Sequence, residues 1–201
     1  MKKIILASGS PRRREILQNA GFEFSVVISG ADEEKLSQDT EPRLYAQETA
    51  LLKASECGKA IGKQKNTLVI SADTIVVSEG KILGKPKDEE DAFKMLSDLS
   101  GKTHEVITGF CVMNLETAFS VCMAEVTKVT FKSLTPETIR SYIETKEPMD
   151  KAGSYGIQGK GAILVQKIDG DYFNVVGLPI SKLTDVLIKE FGMKFENGMW
   201  K

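Results

Sequence analysis

The apolar residues of this chain fall in short runs broken by glycine, proline and charged residues, and the runs alternate between strand-like and helical spacing. Residues 3–7 (KIILA) read as a short apolar strand that runs into Ser8-Gly9-Ser10-Pro11. A helix is predicted from about Pro11 to Ala20. Ser10 suits the N-cap, Pro11 suits the first helical position, and Gly21 stops the helix. Residues 24–28 form a second strand. Thr40-Glu41-Pro42 opens a long helix predicted to reach about Cys57, with Gly58 as its stop. Residues 66–77 are rich in strand formers, and Ser78-Glu79-Gly80-Lys81 reads as a hairpin turn into Ile82-Leu83. Asp88-Glu89-Glu90-Asp91 is an acidic first turn suited to a helix N-terminus, and that helix ends at Ser100-Gly101.

Two long β-patterned stretches follow, 105–114 and 119–132, expected as an antiparallel pair. Thr135-Pro136 caps a helix to about Thr145. Residues 162–168 and 172–176 flank Asp169-Gly170, which predicts a hairpin, and 179–191 is the last helix. No repeat, low-complexity tract or linker interrupts the series. The expected fold is α/β: a mixed twisted sheet flanked by helices, one domain over 1–201, with two lobes about a cleft.

Composition narrows the function. The 201 residues are 41% hydrophobic and 27% charged, the profile of a globular chain with room for a buried core and not of a disordered one. Lys and Arg total 27 against 28 Asp and Glu, a formal net charge of −1, so neither nucleic acid nor a membrane surface is an expected partner. The longest apolar stretch, 68–77, is broken by Ser71, Asp73 and Thr74, which excludes a membrane span there. Met1-Lys2-Lys3 precedes an apolar run too short for a signal peptide. Three cysteines without CxxC spacing suggest neither a disulfide framework nor a zinc site. The expected location is cytoplasmic.

The chain has one histidine, His104, which excludes HExxH zinc hydrolases and multi-histidine metal centres by count. Its place in Thr103-His104-Glu105-Val106, at the start of a strand, suits a structural role. The chemistry therefore falls to carboxylates, lysines, arginines and a metal held by oxygen.

Ser8-Gly9-Ser10-Pro11-Arg12-Arg13 joins a strand end to a helix start. Free backbone N–H groups, hydroxyls and guanidinium forks meet there, which suits a polyphosphate, although the same residues also describe a capped helix with solvated arginines. The Walker A pattern is absent. Charge is uneven: residues 1–20 hold five bases and one acid, whereas 31–48 hold six acids and two bases. A basic hook followed by Asp32-Glu33-Glu34 fits an anionic substrate with a divalent cation, and most of those acids fit a solvated loop equally well.

Asp73 interrupts an apolar strand, where an unpaired carboxylate is costly to bury. It either caps a bend or faces a cleft as metal ligand or base, and its place beside a candidate phosphate site favours the second. Lys53 falls on the helical stripe of Ala46, Ala50 and Cys57, where it binds an anion or snorkels to water. Lys85, in Gly84-Lys85-Pro86, sits on restricted backbone within reach of an anion. The run from Gly153 to Gly161 is a glycine-dense loop that does not match GxGxxG. Its Gln158 offers a donor and an acceptor to a base edge.

These residues together resemble the Maf family of nucleoside triphosphate pyrophosphatases, from Leu6 to about Pro179. The marks are Ala7-Ser8-Gly9-Ser10-Pro11-Arg12-Arg13, Ser71-Ala72-Asp73-Thr74, Lys85-Pro86, Leu99-Ser100-Gly101-Lys102-Thr103-His104, and the run from Asp150 to Gly159. The resemblance implies hydrolysis between the α and β phosphates, with a divalent metal (Mg²⁺ or Mn²⁺), and the fold of the inosine triphosphate pyrophosphatase superfamily, commonly as a homodimer. It implies a phosphate site of Ser8, Arg12, Arg13, Lys53 and Lys85. Glu33 and Asp73 are the implied metal-binding carboxylates, with Asp73 as proton acceptor, and Lys53 and Lys85 join them as catalytic residues. Arg12, Thr74 and Gln158 match the positions that mark the dTTP/UTP branch. Ser71 departs from the usual glycine before Ala72-Asp73.

Water attack on such a chain needs charge neutralisation, in-line positioning and a proton acceptor, all of which this residue set offers without a covalent nucleophile. A non-catalytic nucleotide-binding regulator of cell division is the rival reading. The intact set of Glu33, Asp73, Lys53 and Lys85 argues against it, because binding alone needs no base. A protein-interaction domain with these charges as solvated surface is a second rival.

Overall fold

The computed structural model describes residues 2–28, 30, 31 and 40–201. Strand β1 (Lys3–Leu6) leads to helix α1 (Pro11–Asn19), β2 (Ser25–Val26), the long α2 (Pro42–Ile61), β3 (Thr67–Ser78) and β4 (Lys81–Leu83). Then come α3 (Glu89–Leu99), β5 (Thr103–Asn114), β6 (Ser120–Phe131) and α4 (Pro136–Glu144). Short 3-10 turns at Glu147–Asp150, Ala152–Ser154 and Gly159–Leu164 precede β7 (Val165–Asp169), α5 (Tyr172–Val176), α6 (Ile180–Lys189), β8 (Phe195–Glu196) and β9 (Met199–Trp200).

The main sheet runs β2-β1-β3-β5-β6-β7, with β4 on β3. It is mixed, as expected: β1 is parallel to both β2 and β3, while β4 on β3 and β7 on β6 are antiparallel. The chain forms two compact units, each discontinuous in sequence. The first comprises the described residues of Met1–Asp73 with Thr108–Glu125 and Gly177–Lys201; the second comprises Thr74–Ile107 and Val126–Val176. No helix among the described residues is long and apolar enough to cross a membrane.

In the first unit α2 lies close against the sheet. Its buried Ala50, Ala54 and Cys57 pack with Ile5, Val69 and Cys111. The contact is closest at Gly109, where a Cβ would stand 2.2 Å from the carbonyl of Ala46. Ser71, fully buried on β3, donates its hydroxyl to the Ala50 carbonyl at 2.6 Å. The serine at this position is thus a tie between strand and helix. The second unit has its own core, in which Leu96, Leu99, Val129, Phe131, Ile139, Tyr155 and Leu164 pack around α3 and α4.

Two expectations are corrected. Helix α2 does not stop at Gly58 but at Gly62, whose φ of 80° is left-handed. Gly58 is instead a packing position, since a Cβ there would lie 3.1 Å from Leu115 Cδ2. Residues 172–176 are helical, so Asp169-Gly170 does not turn a hairpin. Asp171 accepts the Phe173 N–H at 2.7 Å and starts a helix, and the buried Asn174 donates to the Val106 carbonyl and the Thr127 hydroxyl. The strand before it, β7, pairs with β6 instead. The chain also continues past α6 into the hairpin β8–β9, whose Trp200 stacks on Phe22 at 4.7 Å.

Candidate active site

In the first unit Ser8, Arg12 and Arg13 follow the end of β1, the kind of place where open α/β sheets bind ligands, while Lys53 and Asp73 come from the interiors of α2 and β3. Strand β1 pairs with β3 as far as Leu6 and Ile70, so Ser8 and Asp73 both lie just beyond the parallel-paired stretch, Asp73 still within β3. Ser8 is buried, and its hydroxyl oxygen accepts the Ser10 N–H and the Arg13 Nη1–H, both at 3.2 Å. Ser10 does occupy the N-cap of α1, but its side chain makes no capping bond. The turn is closed by Ser8 instead. Arg13 Nε donates to the Gly177 carbonyl at 2.8 Å, which fixes the root of the guanidinium. Arg12 is half-exposed on the same first turn.

Helix α2 delivers Lys53. Its start is set by Glu41, whose carboxylate accepts the Leu44 N–H, and by Pro42 at the first helical position. Buried Ala50 and Ala54 flank Lys53 along the helix, so its stem leaves from the sheet-facing side. The ammonium does not snorkel to water. It ends 2.7 Å from Asp73 Oδ1, with 13% of the lysine and 14% of the aspartate side chain exposed. Asp73 is therefore neither an unpaired buried charge nor a bare bend cap.

In the second unit the β3–β4 hairpin turns at Glu79 and Gly80, both at positive φ (51° and 76°), as a two-residue hairpin of this hand requires. Its register pairs Val76 with Leu83, the last residue of β4, two residues before Lys85. Lys85 is exposed between the exposed Gly84 and the buried Pro86. The Gly84 carbonyl accepts the Gly153 N–H at 3.0 Å, and a Cβ at Gly153 would meet Val76 at 2.9 Å. The hairpin thereby fixes the start of the glycine-dense loop whose Gln158 is exposed.

Glu33 lies outside the described residues. Among the described residues, no three His, Cys, Asp or Glu side chains gather as a metal-sized group. His104 is buried and structural: Nε2 meets the Tyr155 hydroxyl at 2.7 Å, and burial lowers its pKa to about 4. Sequence reasoning missed Tyr142 and Glu147, which line the glycine-dense loop from behind. The only signal for them is general: a loop with this many backbone N–H groups needs acceptors from somewhere.

The architecture is an α/β fold built on a mixed sheet. A HAM1 protein from Coxiella burnetii is similar in structure, with a TM-score of 0.53 and 15% identity, covering 94% of this chain and all of that one. At that identity the likeness concerns the fold alone. The chain belongs to the Maf family, because the family of Maf-like proteins matches residues 3–190. A dTTP/UTP pyrophosphatase of Acetivibrio thermocellus is 49% identical over 197 residues, 96% of this chain and 97% of the relative. A protein of the same description from Bacillus cytotoxicus is 53% identical over 191 residues, 95% and 96% of the two chains.

Proposed function

We propose that this chain is a nucleoside triphosphate pyrophosphatase that hydrolyses dTTP and UTP to the monophosphate and pyrophosphate. The observation that carries the reading is the Asp73 carboxylate, placed in the middle of strand β3 and held by Lys53 at 2.7 Å. A carboxylate aimed by a fixed cation suits a group that orients water and takes its proton. The names of relatives about half identical to this chain supply the substrate class.

In this reading Ser8, Arg12, Arg13 and Lys85 hold the phosphate chain, and Asp73 takes the proton of the attacking water. Lys53 keeps Asp73 oriented and adds positive charge near the reacting phosphate. Thr74 and Gln158, with Arg12, read the base edge. Mg²⁺ or Mn²⁺ belongs to the proposal. Magnesium usually takes only one or two carboxylates and completes its shell with phosphates and water, so the oxygen donor of Asp73 fits, with Glu33 as the second carboxylate. When bound, the metal would neutralise phosphate charge. The proposal includes a cytoplasmic location, with which the three free thiols of Cys57, Cys111 and Cys122 agree, and a homodimer, which light scattering would check.

The test is pyrophosphate release from UTP, dTTP, GTP and ATP, each with Mg²⁺ and with a chelator. Release from UTP and dTTP that stops on chelation is expected. Binding of UTP without release would return the chain to the class of non-catalytic nucleotide binders.

A further inference from the structure

We propose that Glu147 is a positioning residue for base selection, holding the loop from Gly156 to Gly161 so that Gln158 is aimed at the base. This rests on the base-reading role given to Gln158 above. Among the described residues the loop pairs with no strand, and its Lys160 and Gly161 N–H groups converge on one side chain. Glu147 Oε2 accepts the Lys160 N–H at 3.0 Å, and Oε1 accepts the Gly161 N–H at 3.1 Å. Oε1 also accepts the Tyr142 hydroxyl at 3.0 Å, and that hydroxyl oxygen in turn accepts the Gly156 N–H at 3.1 Å. Gln158 is thus bracketed by backbone groups that answer, directly or through Tyr142, to one carboxylate.

The glycines are there because the loop wraps this carboxylate too closely for side chains. A Cβ on Gly159 would stand 2.8 Å from Glu147 Oε2, and the residue has a φ of +66°. On Gly161 a Cβ would stand 2.6 Å from the Tyr142 hydroxyl and 2.2 Å from the Gly156 carbonyl. On Gly156 it would press into the Lys151 stem at 2.9 Å. The base of the support is fixed in its turn, since the Glu147 carbonyl accepts from Lys151 Nζ at 2.6 Å and Thr145 Oγ1 accepts the Glu147 N–H at 3.2 Å. Burial works against the Glu147 carboxylate, but the Gly161 and Lys160 N–H bonds and the Tyr142 hydroxyl outweigh it and keep its pKa below the usual value. The carboxylate is an ionised acceptor, the kind that holds backbone donors strongly.

Glu147→Gln keeps the size of the side chain but turns one acceptor into a donor facing backbone N–H groups. Tyr142→Phe removes a single hydroxyl and leaves the carboxylate. Both are compared with Gln158→Ala by kcat/KM on UTP and ATP and by inhibition with pyrophosphate, which carries no base. We expect Glu147→Gln to lower kcat/KM for UTP by about tenfold to a hundredfold, the scale of a misplaced substrate contact. The loss should fall on KM, reduce the UTP-to-ATP ratio, and leave pyrophosphate inhibition unchanged. Tyr142→Phe should shift the ratio the same way by less, and it serves if Glu147→Gln fails to fold. Exchange of the Lys160 and Gly161 amides should accelerate in Glu147→Gln. A ratio lost in Gln158→Ala but kept in a folded Glu147→Gln or in Tyr142→Phe would overturn the positioning role alone. A ratio kept in Gln158→Ala would overturn the base-reading role, and this inference with it.

Discussion

Lys53 Nζ lies 2.7 Å from Asp73 Oδ1, joining the middle of α2 to the point where β3 passes from one compact unit into the other. The pair fixes which way the carboxylate faces. It also gives the ammonium a partner whose charge depends on one residue.

The first expected outcome follows from that dependence. Asp73→Asn preserves shape and a carbonyl that can still accept from Lys53, but removes the charge and the proton acceptor. Turnover should fall by ~10²-fold or more, the usual contribution of a general base. Circular dichroism should show the fold retained. Near wild-type turnover in this variant would mean that the pair is purely structural.

Arg13 and Lys85 should behave as readers of phosphate. Phosphate contacts carry no information about the base, so Arg13→Ala and Lys85→Ala should weaken UTP, dTTP and pyrophosphate by similar factors. Arg13→Ala should in addition lower the melting temperature, because the Gly177 carbonyl and Ser8 hydroxyl each lose a donor. Exposed Lys85 has no such structural share and should leave stability unchanged. Discrimination between bases in either variant would assign that residue to the base instead.

Gln158→Glu tests selectivity from the other side. A uracil or thymine edge offers a carbonyl, a ring N–H and a second carbonyl, and the amide supplies both donor and acceptor. A carboxylate loses the donor and faces a carbonyl with like polarity, a mismatch of ~1–3 kcal/mol. UTP and dTTP hydrolysis should fall by roughly one to two decades in kcat/KM while pyrophosphate inhibition stays. Equal kcat/KM before and after the change would remove Gln158 from base recognition.

His104 should make the fold acid-sensitive. Its Nε2 is paired with the Tyr155 hydroxyl, and its buried Nδ1 has no partner among the described residues. Burial holds the folded pKa at about 4 against 6.5 for the free side chain. Between those values the unfolded chain takes up a proton that the folded chain refuses. Stability is therefore full above pH 6.5 and declines as the pH falls toward 4, by roughly 3 kcal/mol at the lower end. Melting temperature measured from pH 7 to pH 4 should show a shallower slope in His104→Gln than in the parent. Identical slopes would place the acid sensitivity elsewhere.

Local punctuation made much of the fold legible. Ser10-Pro11, Glu41-Pro42, Asp88 and Thr135-Pro136 mark helix starts that the structure bears out, and the hydrophobic runs mark the long strands. Gly58 misled because a glycine that makes room for Leu115 looks, in sequence, like one that ends a helix. Residues 172–176 misled because the exposed rings of Tyr172 and Phe173 imitate a strand, while buried Asn174 takes its meaning from Val106 and Thr127, far away in the chain. The Asn197-Gly198 turn of the last hairpin, both residues at positive φ, is a local signal of the same kind.

The candidate site shows the same division. Motifs contiguous in sequence stand out because strand-end and helix-start chemistry is local. The meeting of Lys53 with Asp73 and of Glu147 with Lys160 and Gly161 depends on long-range packing, which no spacing rule encodes.

The contact between Gly109 and Ala46 gives α2 an unusual kind of reference. Helices commonly rest on side chains, which shift among rotamers and let the helix drift when neighbours change. Here one main chain touches another across a single hydrogen atom, two turns before Lys53 on the same face. The altitude of the ammonium above the sheet is inherited from backbone geometry. Substitutions throughout the surrounding core can accumulate without detuning it, whereas the smallest possible addition at position 109 would lift the helix and carry the cation away from its carboxylate.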